Sequence, residues 1–480
     1  MDKLKASFLS SILSVENIFQ PLESLDSWLL EIKNASGFKV KRIKFSEMKQ
    51  WQFNAEGNIT HNSGRFFSIV GVDTDLSARH CVSWDQPIIS QPEVGLLGIL
   101  TKDFGGVRYF LMQAKIEPGN EGLIQLSPTV QATHSNMEKV HGGRGQDYLE
   151  YFTMDSRSNI ISDQLQSEQG SRFYKKKNRN VVIDVFEDIP VKQGFRWFNL
   201  KELKLLLDRD NIINMDARSV ISCFPYFTMT GKDDLDYSVR SFISERYPEV
   251  TLDQFSYQIM ESMQRSLATH ASSAEIDFWL AGLESKYSIK TKIKPLQSLR
   301  DWDISDDEIK HKREPFFSII AVSVHTNSRE VSAWDQPLIK DESLGLMGFI
   351  AKKINGLLHF LVQGRIEAGS RYSVELSPTV SCTNYRYKWE RWGEQYPLIK
   401  YFINSDSVKS VYDSIQSEEG GRFYKFRNRN MIIYVDDIDE SDIPENYMWM
   451  SLHQIEGLQS RGLCTIDTRT LLSSLSLRSA

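Results

Sequence analysis

The stretch richest in chemistry is residues 113–143, QAKIEPGNEGLIQLSPTVQATHSNMEKVHGG. If its centre is a strand, Gln125, Ser127, Thr129, Gln131 and Thr133 share one face, because side chains at i, i+2 and i+4 point the same way. Five polar residues on one face fit either a solvated outer surface or a wall facing a ligand. Ser-Pro-Thr in mid-strand is costly unless the strand lies at an edge or a bulge. A related stretch 250 residues on keeps the face polar at Glu375, Ser377, Thr379, Ser381 and Thr383, so the ligand-facing wall is preferred. A second stretch, QSEQGSRFYKKKNRN at 166–180, interleaves Gln166, Glu168, Arg172, Lys175, Lys177 and Arg179 with Phe173 and Tyr174. Arginine offers a planar fork to an anion such as a pyrophosphate, and an adjacent aromatic can stack on a base or sugar. The plainer alternative is a basic strand edge that discourages aggregation.

These stretches recur at a constant offset. QSEEGGRFYKFRNRN at 416–430 matches 166–180 at 11 of 15 positions, SWDQPII (83–89) pairs with AWDQPLI (333–339), FLMQAKIEPG (110–119) with FLVQGRIEAG (360–369), and LSPTV (126–130) with LSPTV (376–380). A period near 250 is domain duplication rather than a solenoid of short units. The expected division is a first repeat at 1–223, a helical connector at 224–273 with too many aromatics for a solvated tether, and a second repeat at 274–480.

A net charge of −6 argues against a nucleic-acid or anionic-membrane partner. The four cysteines form no C-x-x-C pair, and no apolar run approaches the roughly 20 residues that span a bilayer, so the expectation is a cytoplasmic protein. Helical patterns surround Trp28 and Trp279. RFFSIVGV (65–72) and PFFSIIAV (315–322) read as strands. GLLGILTK and GLMGFIAK run through Gly-containing turns into VRYFLMQAKIE and LLHFLVQGRIE, a hairpin signature. VVIDVFED and MIIYVDDI read as further strands, followed by FNLKELKLLLD and MSLHQIEGLQS as helices. Each copy is thus expected to be α+β, with mixed or antiparallel sheets and flanking helices.

Neither G-x-G-x-x-G nor G-x-x-x-x-G-K-[ST] occurs, and no H-E-x-x-H or Cys/His cluster offers a metal site. The motifs SWDQP, FLMQAKIEPGN, QLSPTVQATHSN, VHGG, YF (151–152) and QSEQGSRFYKKKNRN together resemble the NDP-hexose 2,3-dehydratase family across nearly the whole chain. That resemblance implies a cytoplasmic homodimer of tandem Nudix-like domains acting on a dTDP-linked 4-keto-6-deoxyhexose. Loss of the C2 hydroxyl would give a 3,4-diketo-2,6-dideoxy sugar for a partner 3-ketoreductase. The R-E-x-x-E-E carboxylates of a catalytic Nudix box are absent from both copies, which suits a protein that leaves the pyrophosphate intact.

Such chemistry needs a base for the C3 proton, an acid for the departing hydroxyl and donors for the enolate oxygen, with no redox cofactor. The catalytic candidates are Lys115, Glu117, His134 and His141. Substrate-binding candidates are Trp84, Gln125, Ser127, Thr129, Gln131, Thr133, Ser135, Asn136, Gln166, Glu168, Arg172, Tyr174, Lys177 and Arg179. A second pocket would use Trp334, Thr379, Thr383, Arg422, Tyr424 and Arg429. Lys115 pairs with Arg365, Gln131 with Ser381, His134 with Asn384 and His141 with Arg391. Arginine stays protonated and asparagine does not titrate. One active pocket in the first repeat and a vestigial or structural one in the second is therefore expected. A non-catalytic sugar-nucleotide-binding protein and a residual hydrolase are the alternatives.

Overall fold

The computed structural model describes residues 3–14, 16–77, 82–133, 146–153, 160–225, 235–264, 269–327, 331–384, 390, 396–403 and 409–479. The architecture is α+β and doubled. In the first repeat a mixed sheet runs Ile160–Ser167, Lys177–Asp184, Gly95–Phe104, Val107–Ile116, Phe195–Asn199. The second repeat repeats that order with Lys409–Ser417, Arg427–Tyr434, Leu344–Ile354, Leu357–Arg365 and Tyr447–Met450. The pairings of Lys177–Asp184 with Gly95–Phe104, and of Arg427–Tyr434 with Leu344–Ile354, are parallel.

The central hairpin closes as the Gly-containing turns demand. Gly105 and Gly106 have φ of +65° and +91°, and Asn355 and Gly356 have +51° and +85°, the left-handed values of a tight hairpin turn. The hairpin then forks. Leu100 still pairs with Leu111, but beyond it Leu96–Gly98 pairs with Val130–Ala132, and Gln113–Ile116 pairs with Ile124–Ser127. The polar face expected from 125 to 133 is therefore not one strand. It is two short strands, each bound to a different arm, with Pro128 and Thr129 in the break. Thr129 sits at the fork: its hydroxyl accepts from Leu100 N at 2.9 Å and donates to the Leu111 carbonyl. Thr379 does the same between Ile350 N, 2.9 Å, and the Leu361 carbonyl, 2.5 Å. Gln125, Ser127 and Thr129 are fully buried, so the solvated-face alternative fails.

The smaller sheets are completed by exchange. Ser288–Lys294, which opens the second repeat, pairs antiparallel with Gly71–Ser77 of the first. Lys39–Ile43, which opens the first repeat, pairs with Ala321–His325 of the second. Each sheet edge is thus covered by the other copy's leading strand, which removes an open template for aggregation.

Helices follow their local signals. Asn199 and Glu202 form a reciprocal capping box at Leu200–Leu207, and Ser272 with Glu275 does so at Ser273–Lys286. Two helices, Leu235–Arg246 and Gln254–Ser262, lie between the repeats in sequence. Their Phe242, Ile259 and Met260 join one core with Phe8, Phe110, Phe360 and Leu472. No helix among the described residues is long and apolar enough to cross a membrane.

Candidate active site between the repeats

Strand Val107–Ile116 delivers Lys115, and Glu117 follows at the strand's end, in a turn closed by Glu117 N to the Leu123 carbonyl at 3.0 Å. Lys115 Nζ lies 3.2 Å from Glu117 Oε1. Gln131 Nε2 donates to the same oxygen at 3.2 Å, and Gln131 Oε1 accepts from Asn214 Nδ2 at 3.1 Å. Asn214 in turn caps the helix Met215–Ile221 through Ala217 N, 2.8 Å. That cap sets Asp216 in the first turn, 3% exposed. Glu117 Oε2 and Asp216 Oδ1 are buried without a hydrogen-bond partner.

The second repeat reaches into this group. The IEPG turn packs on the SEEGGRFY turn: Gly119 N donates to the Gly420 carbonyl at 2.8 Å and Lys425 N to the Gly119 carbonyl at 2.7 Å. A Cβ on Gly119 would meet the Phe423 carbonyl at 1.6 Å, so no other residue allows this approach. It brings Glu419 beside Glu117. A Cβ on Gly421 would lie 2.8 Å from Glu419 Oε1 and 3.6 Å from Glu117 Oε1, so the two carboxylates border one space. Burial, then the charges of Glu419, Glu168 and Glu117, hold the Asp216 carboxyl well above the usual range, against Lys115. Burial likewise raises Glu419, opposed by Arg422, Lys115 and Lys176.

The pseudo-equivalent place has the same frame with its valences filled. Arg365 Nε holds Glu367 Oε1 at 2.8 Å, and Ser171 N donates to Glu367 Oε2 at 3.0 Å. Asp467, the twin of Asp216, accepts from Ser381 Oγ at 2.7 Å. Gln169 stands where the other site has Glu419. Glu117 and Asp216 thus keep open oxygens where their counterparts Glu367 and Asp467 are hydrogen-bonded, and Glu419 adds a carboxyl where the twin has an amide.

The QSE elements form the seam between repeats. Gln125 Nε2 donates to Ser417 Oγ at 2.6 Å, and Ser167 Oγ to Glu375 Oε1 at 2.8 Å. Gln166 Nε2 bonds the Gln459 carbonyl at 2.9 Å. Glu168, buried, accepts from Asn178 Nδ2 and is pushed up to about 7, by burial first and Glu419 second. Arg172 stacks on Phe317 of the other repeat at 4.1 Å, and Arg422 on Phe67 at 4.2 Å. Tyr174 packs against Val70, Val72 and Ile88, and Tyr424 against the cluster containing Val322 and Leu338. Lys177 lies over Tyr372, 3.2 Å from its hydroxyl. Arg179 forks onto Asp163 at 2.8 and 2.6 Å, and Arg429 onto Asp413 at 2.8 and 2.5 Å. Trp84 braces Gln86, whose amide holds the Ser171 carbonyl at 2.8 Å. Trp334 braces Gln336, which holds the Gly421 carbonyl at 2.8 Å. Ser127 donates to the Pro128 carbonyl at 3.1 Å. Thr133 and Thr383 are half-buried at the ends of their strands.

Of the residues picked from sequence, the structure gathers Lys115, Glu117 and Gln131 at one point and spends most of the basic-aromatic stretch on the seam. His134, Ser135, Asn136 and His141 lie outside the described residues. Asp216 and Glu419 were not singled out. Glu419 had left a trace, as one of the four positions at which the fifteen-residue echo differs.

A doubled α+β protein with a buried lysine–carboxylate site between its repeats belongs to the class equipped for acid/base chemistry. The family model described as NDP-hexose 2,3-dehydratase matches residues 22–224 and again 273–475, and the chain belongs to that family. It is 38% identical over 474 residues to a dTDP-4-dehydro-6-deoxy-α-D-glucopyranose 2,3-dehydratase of Saccharopolyspora spinosa, covering 98% of this chain and 94% of that protein. It is 36% identical over 478 residues to a protein of the same name from Amycolatopsis orientalis, covering 98% and 93%.

Proposed function

We propose that the chain removes the C2 hydroxyl of a dTDP-linked 4-keto-6-deoxyhexose, yielding the 3,4-diketo-2,6-dideoxy sugar, and that it does so in the site of the first repeat. The single observation that supports the choice of site is the open oxygens of Glu117 and Asp216, whose direct counterparts Glu367 and Asp467 are held by hydrogen bonds. A buried polar group without a partner costs about 1–3 kcal/mol, and a bound substrate relieves that cost.

In this reading Glu117 takes the C3 proton on its free oxygen, Oε2. The C4 ketone makes that proton acidic, and Lys115, a few ångströms away, offers positive charge to the enolate oxygen. Gln131 fixes Glu117 Oε1 and so aims the other oxygen. His134 and His141 are kept as further acid/base candidates on the strength of the sequence alone. The reading extends to a homodimer in the cytoplasm that passes its product to a 3-ketoreductase, and to Nudix-like descent of each repeat.

The test is incubation with dTDP-4-keto-6-deoxyglucose and a 3-ketoreductase, following loss of the C2 oxygen. Glu117→Gln and Lys115→Met are expected to lower turnover by about 100-fold or more, and Arg365→Met by less than about tenfold. Free nucleoside monophosphate would mark a hydrolase, and binding without change a carrier. A crippled Arg365→Met beside active Glu117→Gln and His141→Ala would move the site to the second repeat.

A further inference from the structure

Proton bookkeeping leaves one role unfilled. Elimination needs a donor for the departing C2 oxygen, a role separate from that of the base that takes the C3 proton. Asp216 has the required character. It is buried, its Oδ1 has no partner, and it lies within electrostatic reach of Glu117 and Lys115 from its own repeat and of Glu419 from the other. Its twin Asp467 is tied down by Ser381. In the first repeat position 381 is matched by Gln131, whose amide is spent on Glu117 and Asn214. The substitution that leaves Asp216 open is therefore the one that aims Glu117.

We propose that Asp216 is the general acid of this site, giving its proton to the C2 oxygen as the C2–O bond breaks, with Glu419 of the second repeat as its positioning partner. The inference rests on the dehydratase reading above. The steps balance: Glu117 takes the C3 proton and the C3–H electrons form the enolate. The enolate then collapses to the C2=C3 enol as the hydroxyl leaves with the Asp216 proton as water. On tautomerisation the proton held by Glu117 returns to C2, and the enol O–H proton restores Asp216. The charges of Glu419, Glu168 and Glu117 bear on Asp216 from one side of the balance and those of Lys115 and Arg218 from the other; Glu419 also feels Arg422 and Lys176. The second repeat thus contributes a carboxyl to the first repeat's chemistry.

The separating experiment uses the full chain with dTDP-4-keto-6-deoxyglucose in D2O. Asp216→Asn is expected to keep exchanging the C3 proton of recovered substrate, while C2–O cleavage falls by about 100-fold or more. Wild-type cleavage rates, or loss of both reactions in a folded variant, overturn the proposal. Glu419→Gln, which copies Gln169, supplies an independent test. Removing a neighbouring negative charge lowers the pKa of the acid, so the alkaline limb of the kcat/KM profile is expected to move to lower pH. An unmoved limb overturns the assignment even where Asp216→Asn does not fold. If the wild type neither exchanges nor dehydrates, the dehydratase reading itself fails and takes this proposal with it.

Discussion

Arg469 of the second repeat donates to the backbone carbonyl of Ser167 in the first at 2.7 Å, and Arg218 returns the same bond to Ser417 at 2.6 Å. Both arginines are almost fully buried. They clamp the serine of each QSE element from the opposite copy, so the most repeated motif in the chain is held by its partner repeat.

Arg469 also holds the Cys464 carbonyl at 2.6 Å and Ser219 Oγ at 2.9 Å. Arg469→Leu strands these acceptors, and hydrogen bonds from a charged donor are worth about 1.5–3 kcal/mol each. We expect a loss of about 3 kcal/mol or more in urea unfolding. Arg469→Lys should recover little, since an ammonium cannot reproduce the fork.

The exchanged strands make the repeats interdependent. A fragment of residues 1–224 lacks Ser288–Lys294, so Gly71–Ser77 becomes an open edge. Expressed alone it should aggregate or melt without cooperativity, and co-expression with residues 273–480 should restore one cooperative transition. A sharp calorimetric melt of the fragment alone would show that the exchange is dispensable.

Thr129→Val keeps the shape at the hairpin fork but leaves Leu100 N and the Leu111 carbonyl without their hydroxyl. A cost of about 2–3 kcal/mol is expected from two buried groups. Thr129→Ser should restore most of it, and the urea midpoints of the three proteins check the order.

Stability should fall as pH rises from about 5 to 7. Burial lifts Glu202 to about 6, Glu168 and Glu375 to about 7 and Glu418 to about 8. A carboxyl raised above its unfolded value stabilises fully below that value and loses the contribution as pH climbs through the folded one. Glu418→Gln removes one such group, so its Tm should vary less with pH than the wild type's. A wild-type Tm that rises over this interval would contradict the assignment.

Much of the fold is legible in local sequence. The hairpins announce themselves through Gly105-Gly106 and Asn355-Gly356, and two of the helices through FNLKELKLLLD and the pattern around Trp279. RFFSIVGV and VVIDVFED are strands, although the first begins at Ser68 and the second already at Lys177. The polar run 125–133 was misleading because alternation looks the same whether a strand is whole or broken at Pro128 and shared between two arms. Lys115 and Glu117 were visible as a charged pair on a strand end. Asp216 was hidden in a helix start that both copies share, where its twin differs only in being bonded.

The sequence by itself determined the duplication, the α+β class and the elements of each copy, because these rest on short-range patterns and on the 250-residue echo. Tertiary structure decided which copy's residues meet. The two leading strands, Lys39–Ile43 and Ser288–Lys294, face twin edges, and no local propensity tells a strand which twin to join. The same holds for the Glu419 turn, which closes on the other repeat's IEPG. Such choices are made by contacts between residues hundreds of positions apart, where packing and hydrogen bonding are settled only once the whole chain has closed.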